Sequence, residues 1–140
     1  MPVERFQPEG LAQRKVDGFT LYSHVVSVPA GRRLIYVSGQ LARNGQGEIV
    51  GPKDMRAQIR QVGENLKRAL AAAGAGLGDL VKTTTYVTDI DEFFKHVDVR
   101  HEYLGAALPG STTVEVRRLS HPELMVEIEA VASIADEGGA

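Results

Sequence analysis

Four histidines, Ser38 beside Gly39, and a glutamate inside an apolar run are the residues with types and settings suited to chemistry. His24, His96, His101 and His121 lack metal-ligand spacing. His101-Glu102 opens like the zinc-protease helix motif, but Gly105 stands where the second histidine must fall. His96 and His101, five apart, point in different directions on a helix, so no metal site is expected. The chain has no cysteine, which excludes a thiolate nucleophile, a disulfide framework and a sulfur-ligated metal centre. Ser38 lies in Val37-Ser-Gly-Gln40, and Tyr36 occupies the position where a nucleophile elbow requires glycine. Gly74-Ala-Gly-Leu-Gly78 follows a helix and precedes a strand, the reverse of a phosphate cradle. What remains is carboxylate acid–base chemistry. Glu127 sits between Val126 and Ile128, where a charge must be solvated, paired or functional. An exposed polar face shared with Glu129 is the usual explanation of such a pair, and catalysis is the alternative.

The elements that must carry these residues can be read from periodicity. Phe19 to Pro29 is rich in β-branched and aromatic residues, and a turn at Ala30-Gly31 leads to Arg33–Ser38, which predicts a hairpin. Asn44-Gly45 marks a further turn. Between Asp54 and Ala73, Met55, Ile59, Val62, Leu66 and Leu70 recur every three or four residues. That spacing predicts an amphipathic helix with Asp54 at its start and Gly74 as its stop. Leu80 to Val87 is too β-branched for an easy helix and reads as a strand. Asp89 or Asp91 can cap a second helix running to about Leu104, with Phe94, Val97 and Leu104 on one face. Thr112–Arg118 and Leu124–Ser133 close the chain as strands, joined by a loop holding Ser120, His121 and Pro122. The expected fold class is α+β: a two-layer domain with two helices on one face of a mixed β-sheet. The opposite face combines Met125, Glu127, Glu129 and Val131; it is either solvated or packed against other subunits.

At 140 residues, with 43% hydrophobic and 24% charged, the chain suits a single domain. An N-terminal segment is expected over about 1–15 and a flexible tail over 134–140. The net charge of −2, with scattered basic residues, gives no footprint for nucleic acid. Met1 to Lys15 has no uninterrupted apolar core for a signal peptide, and no run approaches a membrane span. A soluble cytoplasmic protein with no membrane partner is expected.

Several segments in order resemble the Rid/YjgF family, also called UK114-like proteins, from about Phe19 to Ala132. They are Tyr36-Val-Ser-Gly-Gln40, the helix with Asn65-Leu66 ending Ala71-Ala-Ala-Gly74, Asp79-Leu-Val-Lys82 leading to Tyr86-Val-Thr-Asp89, Thr113-Val-Glu-Val116 with Leu119, and Val126-Glu-Ile-Glu-Ala130. The resemblance implies a chorismate-mutase-like fold and a homotrimer whose sheets line a central barrel, with small-molecule clefts between subunits. It implies cofactor-free hydrolysis of reactive imines and enamines to 2-oxo acids and ammonia. It makes Glu127 the residue that handles water and places Tyr22, Ser38, Gly39, Tyr86, Ser111 and Thr113 at the cleft as substrate-binding positions. Chemically this suffices, because an iminium carbon is already electrophilic and needs mainly positioning and a base for water.

One departure stands out. Where active deaminases of the family carry Pro-Ala-Arg, this chain has Pro109-Gly-Ser111, so Ser111 replaces the arginine that clamps the substrate carboxylate. A charged bidentate contact is worth about 1.5–3 kcal/mol, roughly tenfold to a hundredfold in affinity, so the standard 2-imino acid is expected to bind poorly. Arg117 shares strand parity with Ser111 but lies ~20 Å along at about 3.3 Å per residue, too far to substitute. Asp98 falls near a helix position where such proteins commonly carry asparagine. Two readings stay open: a hydrolase or deaminase of altered specificity, and a non-catalytic trimer that binds a metabolite or protein. A ribonuclease lacks its basic, aromatic surface here.

Overall fold

A computed structural model describes residues 1–137. The strands form three sheets, two of them two-stranded and one four-stranded. Near the N-terminus, β1 (Glu4–Phe6) pairs antiparallel with β4 (Val25–Ser27), and β2 (Lys15–Val16) with β3 (Phe19–Thr20). The main sheet holds β5 (Arg32–Leu41), β6 (Leu80–Val87), β7 (Gly110–Glu115) and β8 (Val126–Ala135) in the order β5-β8-β6-β7. Only β6 and β7 run parallel, as their helical crossover requires. Helices α1 (Met55–Ala72), α2 (Ile90–Phe94) and α3 (Val97–Leu104) cover one face.

The long helix follows its sequence pattern. Asp54 caps it through Oδ1, which accepts from Ala57 N–H at 3.0 Å, and Gly74 takes φ 80° just beyond its end. Its stripe of Met55, Ile59, Val62, Leu66 and Leu70 is buried against Val126, Ile128, Ala130 and Ala132 of β8. Two polar side chains of α1 fix the strand ends beneath. Gln58, fully buried, donates to the carbonyls of Gly51 and Glu123 and accepts from Met125 N–H at 2.8 Å. Asn65 donates to the carbonyls of Leu41 and Arg43, both at 2.9 Å.

Three expectations are corrected. The hairpin between residues 19–29 and 33–38 does not form: β5 pairs with β8, and β4 with β1. The cause lies at Ser23, whose N–H and hydroxyl donate to the carbonyls of Pro109 and Leu108, at 3.1 and 2.6 Å. This draws the segment around Tyr22 sideways to the start of β7. The second helix is two helices. Asp89, not Asp91, caps α2, and the chain turns at Lys95-His96 before α3. The break lets Phe93, Val97, Val99, Tyr103 and Leu104 all be buried, more than one stripe of a straight helix presents. Ile134 and Ala135 belong to β8 and not to a tail, while residues 138–140 lie outside the described residues.

Candidate functional site

Residues paired in register share a face of the sheet. Glu127 and Glu129 of β8 pair with Tyr86 and Thr84 of β6, so these four stand on the face the helices leave open. Leu34, Tyr36 and Val114 are on that face too, 45%, 74% and 39% exposed. On β5 the register slips between Val37 and Gln40, which sets Ser38 and Gly39 as a bulge opposite Glu129. The bulge presents the Cα of Gly39 to Glu127, whose carboxylate occupies the space a Cβ would need.

Glu127, Gly39 and Tyr86 line one cavity of about 480 Å³, with Glu129, Arg118 and Leu119 around it. Tyr86 donates its phenol proton to Glu129 Oε1 at 2.6 Å, and that bond holds the phenol above its usual pKa. The Glu127 carboxylate has no hydrogen-bond partner among the described residues. Partial burial, and then the nearby charge of Glu129, push its carboxyl above the ordinary range. It is therefore a better proton acceptor than a surface glutamate. Ser38 lies in the neighbouring depression with Tyr36, Lys82, Thr84 and Glu129.

Tyr22, Ser111 and Thr113 stand elsewhere. Ser111 and Thr113 pair with Thr83 and Thr85, both buried on the helix-covered face. They sit at the free edge of the sheet and, with Tyr22, line a cavity of about 130 Å³ beside α3. The structure thus gathers the sequence-predicted residues into two groups on opposite faces. A single copy of the chain does not bring Glu127 to Ser111.

Two arginines that sequence reasoning passed over border the second group. Arg14 lies 4.6 Å from the centroid of Phe94, and Arg100 reaches Ser111 Oγ with Nη2 at 3.2 Å. A signal for Arg100 existed: it falls three residues after Val97 and four before Leu104, on the apolar stripe itself. Asp98, by contrast, faces away from both groups. It forms a two-bond ion pair with Arg56 of α1 at 3.0 and 2.6 Å, which lowers its pKa to about 2. Arg117 lies beyond the end of β7. Among the described residues no cluster of His, Asp or Glu could hold a metal ion, and no helix is long and apolar enough to cross a membrane.

Residues 13–134 match the family described as Endoribonuclease L-PSP. The chain is 40% identical over 107 residues to the RutC family protein PH0854 of Pyrococcus horikoshii, spanning 76% of this chain and 82% of that protein. It is 39% identical over 114 residues to the 2-iminobutanoate/2-iminopropanoate deaminase of Escherichia coli K12, spanning 78% and 85%. Among solved structures, the Rid family protein YyfB of Yersinia pestis superposes with a TM-score of 0.80 at 33% identity, covering 96% of this chain and all of that one.

Proposed function

Because this chain belongs to the Rid/YjgF family, we propose that it is a cofactor-independent hydrolase of small imines or enamines, acting in clefts between three copies of itself. One observation carries the reading: the Glu127 carboxylate is unpartnered, raised in pKa and seated against Gly39 in a cavity open to solvent. Glu127 takes a proton from water as its oxygen bonds to the imine carbon, and the C=N pair moves to nitrogen. That proton passes to the nitrogen to give a carbinolamine; Glu127 then takes the hydroxyl proton and hands it to the nitrogen as the C=O double bond forms and the C–N bond breaks, so that ammonia leaves a carbonyl product.

The same geometry supports the assembly. The Glu127 group and the Tyr22–Ser111–Thr113 group lie on opposite faces, the latter at a free sheet edge, so a neighbouring copy is the means of joining them. The exposed Leu34, Tyr36 and Val114 give the open face an apolar surface to bury in a trimer. The E. coli relative is named for 2-iminobutanoate, but Ser111 here replaces the arginine typical of such deaminases, so a different specificity is proposed. The same replacement favours a second reading, a trimer that binds a metabolite without turning it over.

Ammonia release from freshly generated imines, compared between the wild type and Glu127→Gln, separates the two. Loss of a general base lowers kcat by about 10²–10⁴-fold. An imine panel with no turnover above the buffer rate rejects the hydrolase.

A further inference from the structure

The substrate and the product of the proposed hydrolysis differ at one atom. A C=N–H group carries a hydrogen-bond donor where the C=O group that replaces it offers only acceptor lone pairs. A wall of acceptors holds the first and gives the second no bond. The cavity around Glu127 has such a wall, built by β6 and β8.

Tyr86 spends its one hydroxyl proton on Glu129 Oε1, at 2.6 Å. That bond above all holds the phenol above its usual pKa, so the proton stays in place at neutral pH. The phenol oxygen accepts from no described residue, and the side chain lines the cavity of about 480 Å³. Ionised carboxylates are acceptors as well, and neither Glu127 nor Glu129 is in an ion pair among the described residues. The neighbouring cations are turned to other partners: Lys82 donates to Thr112 Oγ1 at 3.0 Å, and Arg118 through Nε to the Leu119 carbonyl at 3.2 Å. The donors lining the cavity, Arg118 and Ser120, come from the segment after β7 and not from this wall. Tyr86 stands directly opposite Glu127 in register, where Cβ atoms lie about 4.5–5.5 Å apart. A water held by Glu127 and a nitrogen held by Tyr86 can therefore meet as one reacting pair.

We propose that Tyr86 is a specificity-determining residue whose oxygen accepts from the N–H of the substrate, and that Glu129 positions it by holding the phenol proton away from the reacting nitrogen. The inference rests on the proposed hydrolase and adds to it a means of telling substrate from product. With its proton fixed on Glu129, Tyr86 has none to give a carbonyl oxygen, so the bond that holds C=N–H has no counterpart once C=O has formed. The product leaves a wall that no longer binds it. Imines and enamines with a hydrogen on nitrogen make the contact, and N-alkyl imines, which lack that hydrogen, lose it.

The test titrates propanamidinium, a stable planar ion bearing a C=N–H group, and butan-2-one, its carbonyl counterpart, into the whole protein, followed by NMR shifts. The amidinium is expected to bind at least about tenfold more tightly than the ketone. Tyr86→Phe keeps both carboxylates and frees Glu129, so attraction by charge alone predicts amidinium binding as tight as before or tighter. The acceptor role predicts the opposite, binding weaker by about fivefold or more with the ketone unchanged. Glu129→Leu releases the phenol proton to the cavity, and the ketone should then bind about threefold more tightly or better, a gain that a merely structural role does not produce and that Tyr86→Phe in the same background should abolish. No amidinium binding, undiminished amidinium affinity in Tyr86→Phe, or ketone affinity unmoved by Glu129→Leu would overturn the proposal. The hydrolase is judged separately by ammonia release. Turnover in Tyr86→Phe with an unchanged ratio of product inhibition constant to KM removes the acceptor and keeps the enzyme, and Tyr86-dependent amidinium binding without turnover does the reverse.

Discussion

Gly39→Ala isolates the placement of the Glu127 carboxylate from its chemistry. A Cβ at residue 39 would stand 2.8 Å from Cδ and 3.0 Å from Cγ of Glu127. Carbon atoms ordinarily approach no closer than about 3.5–4.0 Å, so the side chain must swing away by roughly 1 Å. The obstructed atoms are the end of a flexible side chain, and Gly39 does not need the left-handed backbone, so the fold absorbs the change. Alanine also restricts the unfolded chain, a gain of about 0.4–1 kcal/mol that offsets the displaced side chain. Catalysis is less forgiving, because a misplacement of about 1 Å can cost ~10²-fold. We expect kcat for imine hydrolysis to fall by about 30–100-fold while the melting temperature shifts by no more than a few degrees. The same substitution in a Glu127→Gln background should cost little further, since the group it displaces no longer acts. Retention of half the wild-type kcat in Gly39→Ala, or an equal loss in the Glu127→Gln background, would refute the claim that β5 positions this carboxylate for catalysis.

Protonation of Glu127 should govern the acid limb of kcat/KM, with its midpoint above the ordinary glutamate range because burial and Glu129 raise that pKa. The folded state holds this proton more tightly than the unfolded state, so the carboxylate disfavours folding once pH rises through the raised pKa; Glu127→Gln should melt higher than wild type at pH 7, and the difference should vanish below about pH 4. Gly63→Ala on α1 would put a Cβ 2.6 Å from Cδ2 of the Tyr103 ring on α3; overpacking of about 1–3 kcal/mol against a helix-propensity gain of about 1 kcal/mol predicts a melting temperature lower by several degrees. Asp98→Asn should leave kcat/KM within twofold of wild type, because its partner is Arg56 on the outer helix surface; a tenfold loss would bring Asp98 back to the site.

Much of the architecture was legible because single periods dominate single elements. The stripe from Met55 to Leu70 and the β-branched run from Leu80 to Val87 each have one face to bury, and both elements form where periodicity places them. Failures came where tertiary partners outbid local pattern. Residues 19–29 have strand-forming composition, but Ser23 finds the carbonyls of Leu108 and Pro109, and the expected hairpin gives way to a detour that brings Tyr22 to the sheet edge. The bulge at Ser38-Gly39 has one local mark, a glycine inside a strand pattern, but the register that slips there is set by β8, some ninety residues further on.

The arginines show a subtler limit. Reading along one strand, Ser111 signals a lost anchor and Arg117 is too distant to replace it. An arginine does reach Ser111 from outside that strand: the parallel pairing of β6 and β7 requires a crossover, and the crossover helix α3 lies against the residues of β7 that face it. Arg100 occupies a position on α3 where an apolar residue would complete the buried stripe, at the cost of burying a charge. A sequence scan for charged residues inside apolar helical stripes would have raised it. What such a scan does not supply is the side chain's destination, Ser111 Oγ, where the helix of one crossover and the edge strand it feeds converge on one small cavity.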